Sequence, residues 1–155
     1  MKKTVVGFLL GFLAALAAVW FGMPKMMLHE RVSPLGFDET VERIKQNVED
    51  NGWVVASVSR MEKKLAKHGK TIPPVTLVNI CQPDYAATIL NDEDARRIAV
   101  MMPCTIAVYA KSDGKTYIAT METGLMGRMF GGTIAKVMGG SVAEEEKAFT
   151  AFADQ

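Results

Sequence analysis

Histidine and cysteine are scarce in this chain, with two of each among 155 residues. No H-E-x-x-H or C-x-x-C occurs. No second histidine or acidic cluster stands at ligand spacing from His29 or His68, so a dedicated zinc centre has no basis in the sequence. His68 lies in a lysine-rich stretch before Gly69, where a positive side chain suits a helix end, and both histidines read as solvated. The glycines at 124, 127, 131, 132, 139 and 140 fit neither G-x-G-x-x-G nor a Walker sequence, which leaves phosphate binding without a warrant. G-x-S-x-G is absent and neither histidine neighbours a plausible nucleophile, so the chain reads as noncatalytic rather than as an enzyme. A formal net charge of +1 supplies no basic stripe for nucleic acid and no acidic tail.

What the chain does have is one long uncharged run. After Lys2 and Lys3, "VVGFLLGFLAALAAVWFGM" (Val5–Met23) holds 19 residues without a charge. At about 1.5 Å per helical residue, that approaches the hydrocarbon thickness of a bilayer. Trp20 suits an interfacial aromatic, and the leading lysines favour a cytoplasmic amino end. Residues 1–24 are therefore expected to be a single-pass anchor in a bacterial inner membrane, with the remainder in the periplasm. A cleavable signal peptide is the rival reading. It is the weaker one, because the run is long for such a segment and "VWFGMPK" offers no A-x-A site. Gly7, Gly11 and Ala15 fall four apart on one helix face, the spacing through which two membrane helices approach closely, and this makes a homodimer one reading of the anchor.

Residues 25–155 read as one soluble α+β domain. "KMMLHERVS" allows a first strand. Asp38 stands where a helix cap would, and Phe37, Val41, Ile44 and Val48 form the apolar stripe of a helix closed by Asn51 and Gly52. "WVVASVS" is a β-branched strand, "RMEKKLAKHG" a short helix closed by Gly69, and "VTLVNIC" a strand ending at Cys81. Pro83 and Asp84 open a helix, and Asp92 caps another that carries Ala95, Ile98, Ala99 and Met102 and stops at Pro103.

"CTIAVYA" and "KTYIATME" flank Asp113-Gly114, the sequence pattern of a two-residue hairpin. In that register Ile106 stands opposite Met121, and Cys104, Ile106, Val108, Ala119 and Met121 share one inward face. Beyond it, Met126, Met129, Phe130, Ile134, Val137 and Met138 fall on a common helical face, although each interior glycine costs about 1 kcal/mol relative to alanine. Ser141 and Glu144 form a capping box for a terminal helix with Val142, Phe149 and Phe152 turned inward.

The order "SPLGFDETVERIKQNVEDNGW", "VNICQPDYAATIL", "MMPCTIAVYAKSDGKTYIAT" resembles the bacterial family known only as domain of unknown function three hundred and two. The resemblance covers about residues 30–123 and leaves the Met/Gly-rich segment 124–155 outside it. It implies a two-layer domain, an antiparallel sheet with helices packed on one face, of TATA-binding-protein-like shape. Its typical features map to Gly36, Phe37, Thr40, Cys81, Pro83, Pro103 and Cys104. It transfers no activity.

Three readings of Cys81 and Cys104 stay open. A disulfide would stabilise by about 3 kcal/mol, provided that the strand ends meet within about 7 Å between Cα atoms. Isolated buried thiols and a shared site are the others. Two functional classes follow. The preferred one is a membrane-tethered ligand-binding or assembly module whose site includes Cys81, Pro83, Pro103, Cys104 and Met121. The alternative is a redox or metal-handling protein in which Cys104, Met121, Met126 and Met129 hold Cu(I) or ligate haem iron. Methionines that merely fill a core are the plainer account of the same pattern.

Overall fold

The computed structural model describes residues 26–154 without a break, together with 11–13, 20 and 22. Most of the expected span Val5–Met23, including Gly7 and Ala15, therefore lies outside the described residues. Among those described, no helix is long and apolar enough to cross a membrane.

Five strands build a single antiparallel sheet: β1 (Leu28–Val32), β2 (Val54–Arg60), β3 (Val75–Cys81), β4 (Cys104–Ala110) and β5 (Thr116–Met121), in the order β1-β5-β4-β3-β2. The domain is α+β. Alternation along β3 buries Thr76, Val78 and Ile80 while Val75, Leu77, Asn79 and Cys81 stay partly exposed. One face of the sheet is thus the core face.

That face is covered first by α1 (Phe37–Asp50), whose Val41, Ile44 and Val48 are buried as the spacing predicts. Its cap differs from expectation. Gly36, with extended backbone, precedes the first turn, Glu39 reaches back to the Gly36 N–H at 3.3 Å, and Asp38 lies inside the helix, paired with Arg60. An acidic residue in the first turn is favoured by the helix dipole just as a cap would be, so the sequence signal marked the right end and the wrong residue. Helix α2 (Met61–Ala66) follows β2, and α3 (Pro83–Asn91) opens on Pro83, with Gln82 Oε1 accepting from Tyr85 N at 2.9 Å. Asp92 Oδ1 accepts from Ala95 N at 3.2 Å and starts the 3-10 turn Arg96–Met101.

The hairpin register is one residue away from the expected one. Ala107 pairs with Ala119 and Tyr109 with Tyr117, and the Lys111 N–H bonds Lys115 O at 3.2 Å. The loop is therefore three residues, Ser112-Asp113-Gly114, with Gly114 at φ 78°. A glycine in the left-handed region after a type I turn closes a bulged three-residue hairpin, whereas the two-residue turn needs positive φ at both central positions. Because side chains alternate, the shift exchanges the faces of β5. Ile118 joins Ile106 and Val108 in the core, while Ala119 and Met121 turn to the other face, and Met121 is 39% exposed.

The carboxyl third is a chain of short helical pieces: α4 (Thr123–Phe130), α5 (Gly132–Lys136), a π-helical turn (Val137–Val142), α6 (Ala143–Thr150) and a 3-10 turn (Ala151–Asp154). Gly131 and Gly132, at φ 70° and 55°, break the single face expected there. Ile134, Val137 and Met138 are buried, whereas Met129 and Phe130 are exposed. Ser141 is not a cap, since helical backbone runs through it from Val137 into α6. Phe149 and Trp53 meet edge to face at 5.2 Å between ring centroids. Trp53 Nε1 and Tyr85 OH both donate to Glu145, at 2.6 and 2.5 Å, tying α6 to β2 and α3.

Candidate functional site

Where β4, β5 and β1 meet α6, the two layers do not close completely. The opening is a cavity of about 760 Å³, with Met101, Ile106 and Met138 as apolar wall and Cys104, Thr123 and Glu146 as polar lining. Its position follows from chain direction. The start of β4 and the end of β5 lie at one end of the sheet, and α6 passes over that end, carrying Glu146.

Glu146 Oε2 accepts from Thr123 Oγ1 at 2.5 Å, and its carboxylate also faces the Cys104 thiol. Burial pushes the Glu146 carboxyl above the usual range, the bonds from Thr123 and Cys104 pull it back, and nearby Glu122 raises it again. Burial, then the charge of Glu146 and the hydrogen bond to it, pushes the Cys104 thiol strongly upward. Cys104 is thus a protonated hydrogen-bond donor. A thiol nucleophile or redox centre needs the opposite shift.

Charge around the opening is arranged in pairs. His29 contacts Glu122, Arg31 Nε lies 3.1 Å from Asp154, and Lys147 Nζ lies 2.9 Å from Glu144. Arg31 Nη1 also donates to Thr150 Oγ1 at 2.5 Å.

The expected site residues divide. Cys104 and Pro103 line the cavity, and Met121 closes its edge at the end of β5. Cys81 lines an adjoining crevice of about 30 Å³ with Trp53 and Tyr85, and Pro103 and Cys104 line that crevice too, so the two thiols are neighbours. Pro83 is the first residue of α3 and serves the helix start. The cysteines are both free. Their strands are antiparallel and Cys104 is the partner of Ile80, so Cys81 is offset from Cys104 by one residue.

Met126 and Met129 are not among the cavity's lining residues, and Met129 is 60% exposed. Of the soft-ligand set expected around Cys104, only Met121 lines the same cavity. Among the described residues, no three His, Cys, Asp or Glu side chains converge as a metal-holding group.

Sequence reasoning read His29 as a solvated side chain and passed over Thr123 and Glu146. His29 enters the site only because β1 pairs with β5, 93 residues later for its contact with Glu122, and no local pattern announces that. Glu146 did leave a signal. It lies four residues after Val142 and three before Phe149, on the same helical stripe as these inward residues, and a carboxylate in an apolar stripe marks a buried polar position.

The model of a family described as "Domain of unknown function DUF302" matches residues 29–150. The match runs past the expected limit of 123 and takes in α4, α5 and α6 with Glu146. A crystal structure described as an uncharacterized conserved protein DUF302 from Bacillus stearothermophilus superposes with a TM-score of 0.71 at 22% identity, covering 83% of this chain and 98% of that one. At that identity the likeness concerns the fold. No curated protein matches the chain.

Proposed function

We propose that this chain, which belongs to the DUF302 family, is a membrane-tethered module that binds a small ligand in the cavity between its sheet and α6 without transforming it. The cavity carries the reading. At about 760 Å³ it falls within the ~300–1,000 Å³ range of small-molecule sites, with apolar walls and a few convergent polar groups. Its one thiol is held protonated against the Glu146 carboxylate, the opposite of an activated nucleophile, which favours binding over catalysis.

The tether rests on the uncharged run Val5–Met23 behind two lysines, which favours an inner-membrane anchor with the domain in the periplasm. Nothing observed favours the copper or haem alternative.

Native mass spectrometry of the whole chain, released from bacterial membranes in a nonionic detergent, tests both halves. The expected spectrum shows protein recovered from the membrane fraction, carrying a small-molecule mass that unfolding releases; it also reports whether one copy or two is present. Recovery in the soluble fraction would remove the tether. A chain that is ligand-free and unchanged after exposure to a metabolite extract would remove the binding reading.

A further inference from the structure

The charges around the cavity do not balance, and the imbalance describes an occupant. Three carboxylates at the opening each have a nitrogen partner: Glu122 has the His29 ring, Asp154 has Arg31 and Glu144 has Lys147. Glu146, the carboxylate set deepest of the four, has none among the described residues. It is met only by the neutral hydroxyl of Thr123, at 2.5 Å, and the neutral thiol of Cys104. Removing a carboxylate from water without a counter-charge is costly, and neutral donors offset only part of that cost.

We propose that the ligand of this cavity is an organic monocation, an amine carried on an apolar body, whose ammonium group pairs with Glu146. The proposal rests on the reading of the cavity as a ligand site and names its chemical class. The cations lining the opening are already paired, so none is free to complete Glu146 without breaking a pair. An anionic ligand would face Glu146 and Glu122 together. Among the described residues, a bare divalent metal would lack the three ligating side chains that such an ion ordinarily needs. An ammonium group needs one carboxylate and neighbouring acceptors, which Glu146 and the Thr123 oxygen provide, while Met101, Ile106 and Met138 offer the body an apolar wall.

Three probes of matched shape and different charge separate the possibilities: benzylammonium, benzyl alcohol and benzoate, each titrated into the whole chain in nonionic detergent at pH 7.5 and followed by amide NMR. Benzylammonium should shift the amides of Thr123, Cys104 and Glu146 and bind at least tenfold more tightly than benzyl alcohol, with benzoate weakest. Glu146→Gln should abolish the preference for the amine over the alcohol. Equal affinity for amine and alcohol in the wild-type chain would overturn the cation assignment while leaving the cavity as a ligand site, and that comparison needs no variant to fold. If none of the three probes shifts a cavity amide, the assignment and the binding reading fall together.

Discussion

Gly127 and Gly139 are in backbone contact: a Cβ placed on Gly127 would stand 2.5 Å from the Gly139 nitrogen and 2.9 Å from the Met138 carbonyl carbon. This contact explains the glycines at 127 and 139. Each glycine costs α4 or the π-helical turn some intrinsic helicity, but together they let the two pieces touch through their backbones, and Met138 thereby reaches the core. Gly127→Ala should therefore destabilise the domain by about 1–3 kcal/mol, although alanine is the better helix former. Gly140, with open space at the Cβ position, is the control. Gly140→Ala should leave stability unchanged or raise it by about 0.5–1 kcal/mol. Chemical denaturation of the two variants beside the wild type reads the contrast, and equal effects would refute the contact.

A buried hydroxyl offers a gain in the other direction. Thr76 is fully buried on β3, opposite Val108, and among the described residues its Oγ1 is the buried side-chain oxygen without a hydrogen-bond partner. An unpaired buried hydroxyl costs about 1–3 kcal/mol, and valine has the same branching, which suits a central strand. Thr76→Val is expected to raise the unfolding free energy by roughly 1 kcal/mol, as urea denaturation would show. A loss would mean that the hydroxyl has a partner in solution, such as a trapped water.

These two positions also show what sequence alone conveys. The stripe Val41, Ile44, Val48 and the strand Val75–Cys81 were legible because burial of one face imposes a period that short segments carry by themselves. Asp113-Gly114 located the hairpin but not its register, because a two-residue loop and a bulged three-residue loop both use glycine there, and they differ by one step that exchanges every side chain's face. Thus Met121 was assigned inward and Ile118 was not. Of the cavity's lining, Pro103, Cys104 and Met121 were legible, Met121 through a register that turned it to the wrong face. His29 depends on pairing between sequence-distant strands, and Gly127 on a contact between two helical pieces, and neither leaves a local period.

Cys104 makes the protonation state of the site measurable. Burial and the neighbouring Glu146 carboxylate hold its thiol well above the range of a free cysteine. In the folded chain at pH 8, Cys104 should react with an alkylating reagent at least tenfold more slowly than in the chain unfolded by guanidinium, with peptide mass mapping to distinguish it from Cys81. Cys104→Ser keeps a small donor toward Glu146 and should preserve the fold. Rapid modification of native Cys104 would contradict the burial and would reopen the redox reading.

Glu146 links the same site to pH. Its folded-state pKa lies above the unfolded value, so the folded chain keeps this proton after the unfolded chain has released it, and stability falls as pH rises from the ordinary carboxylate range through the raised value. Below that window the carboxyl is neutral in both states and exacts nothing; above it the full penalty persists. Glu30, Asp92 and Asp113 act oppositely, because hydrogen bonds from Lys111, Thr133 and Tyr117 respectively hold their pKa values down, and the stability they contribute is lost on acidification. A wild-type profile alone therefore mixes both signs. The difference between Glu146→Gln and wild type isolates one group: the variant should gain relative stability steadily from about pH 4 upward and then level off. Melting temperatures across pH 3.5–8 supply that difference curve. A flat difference would mean that the carboxyl of Glu146 titrates as it does in the unfolded chain, and the cavity would then hold no uncompensated charge for a ligand to meet.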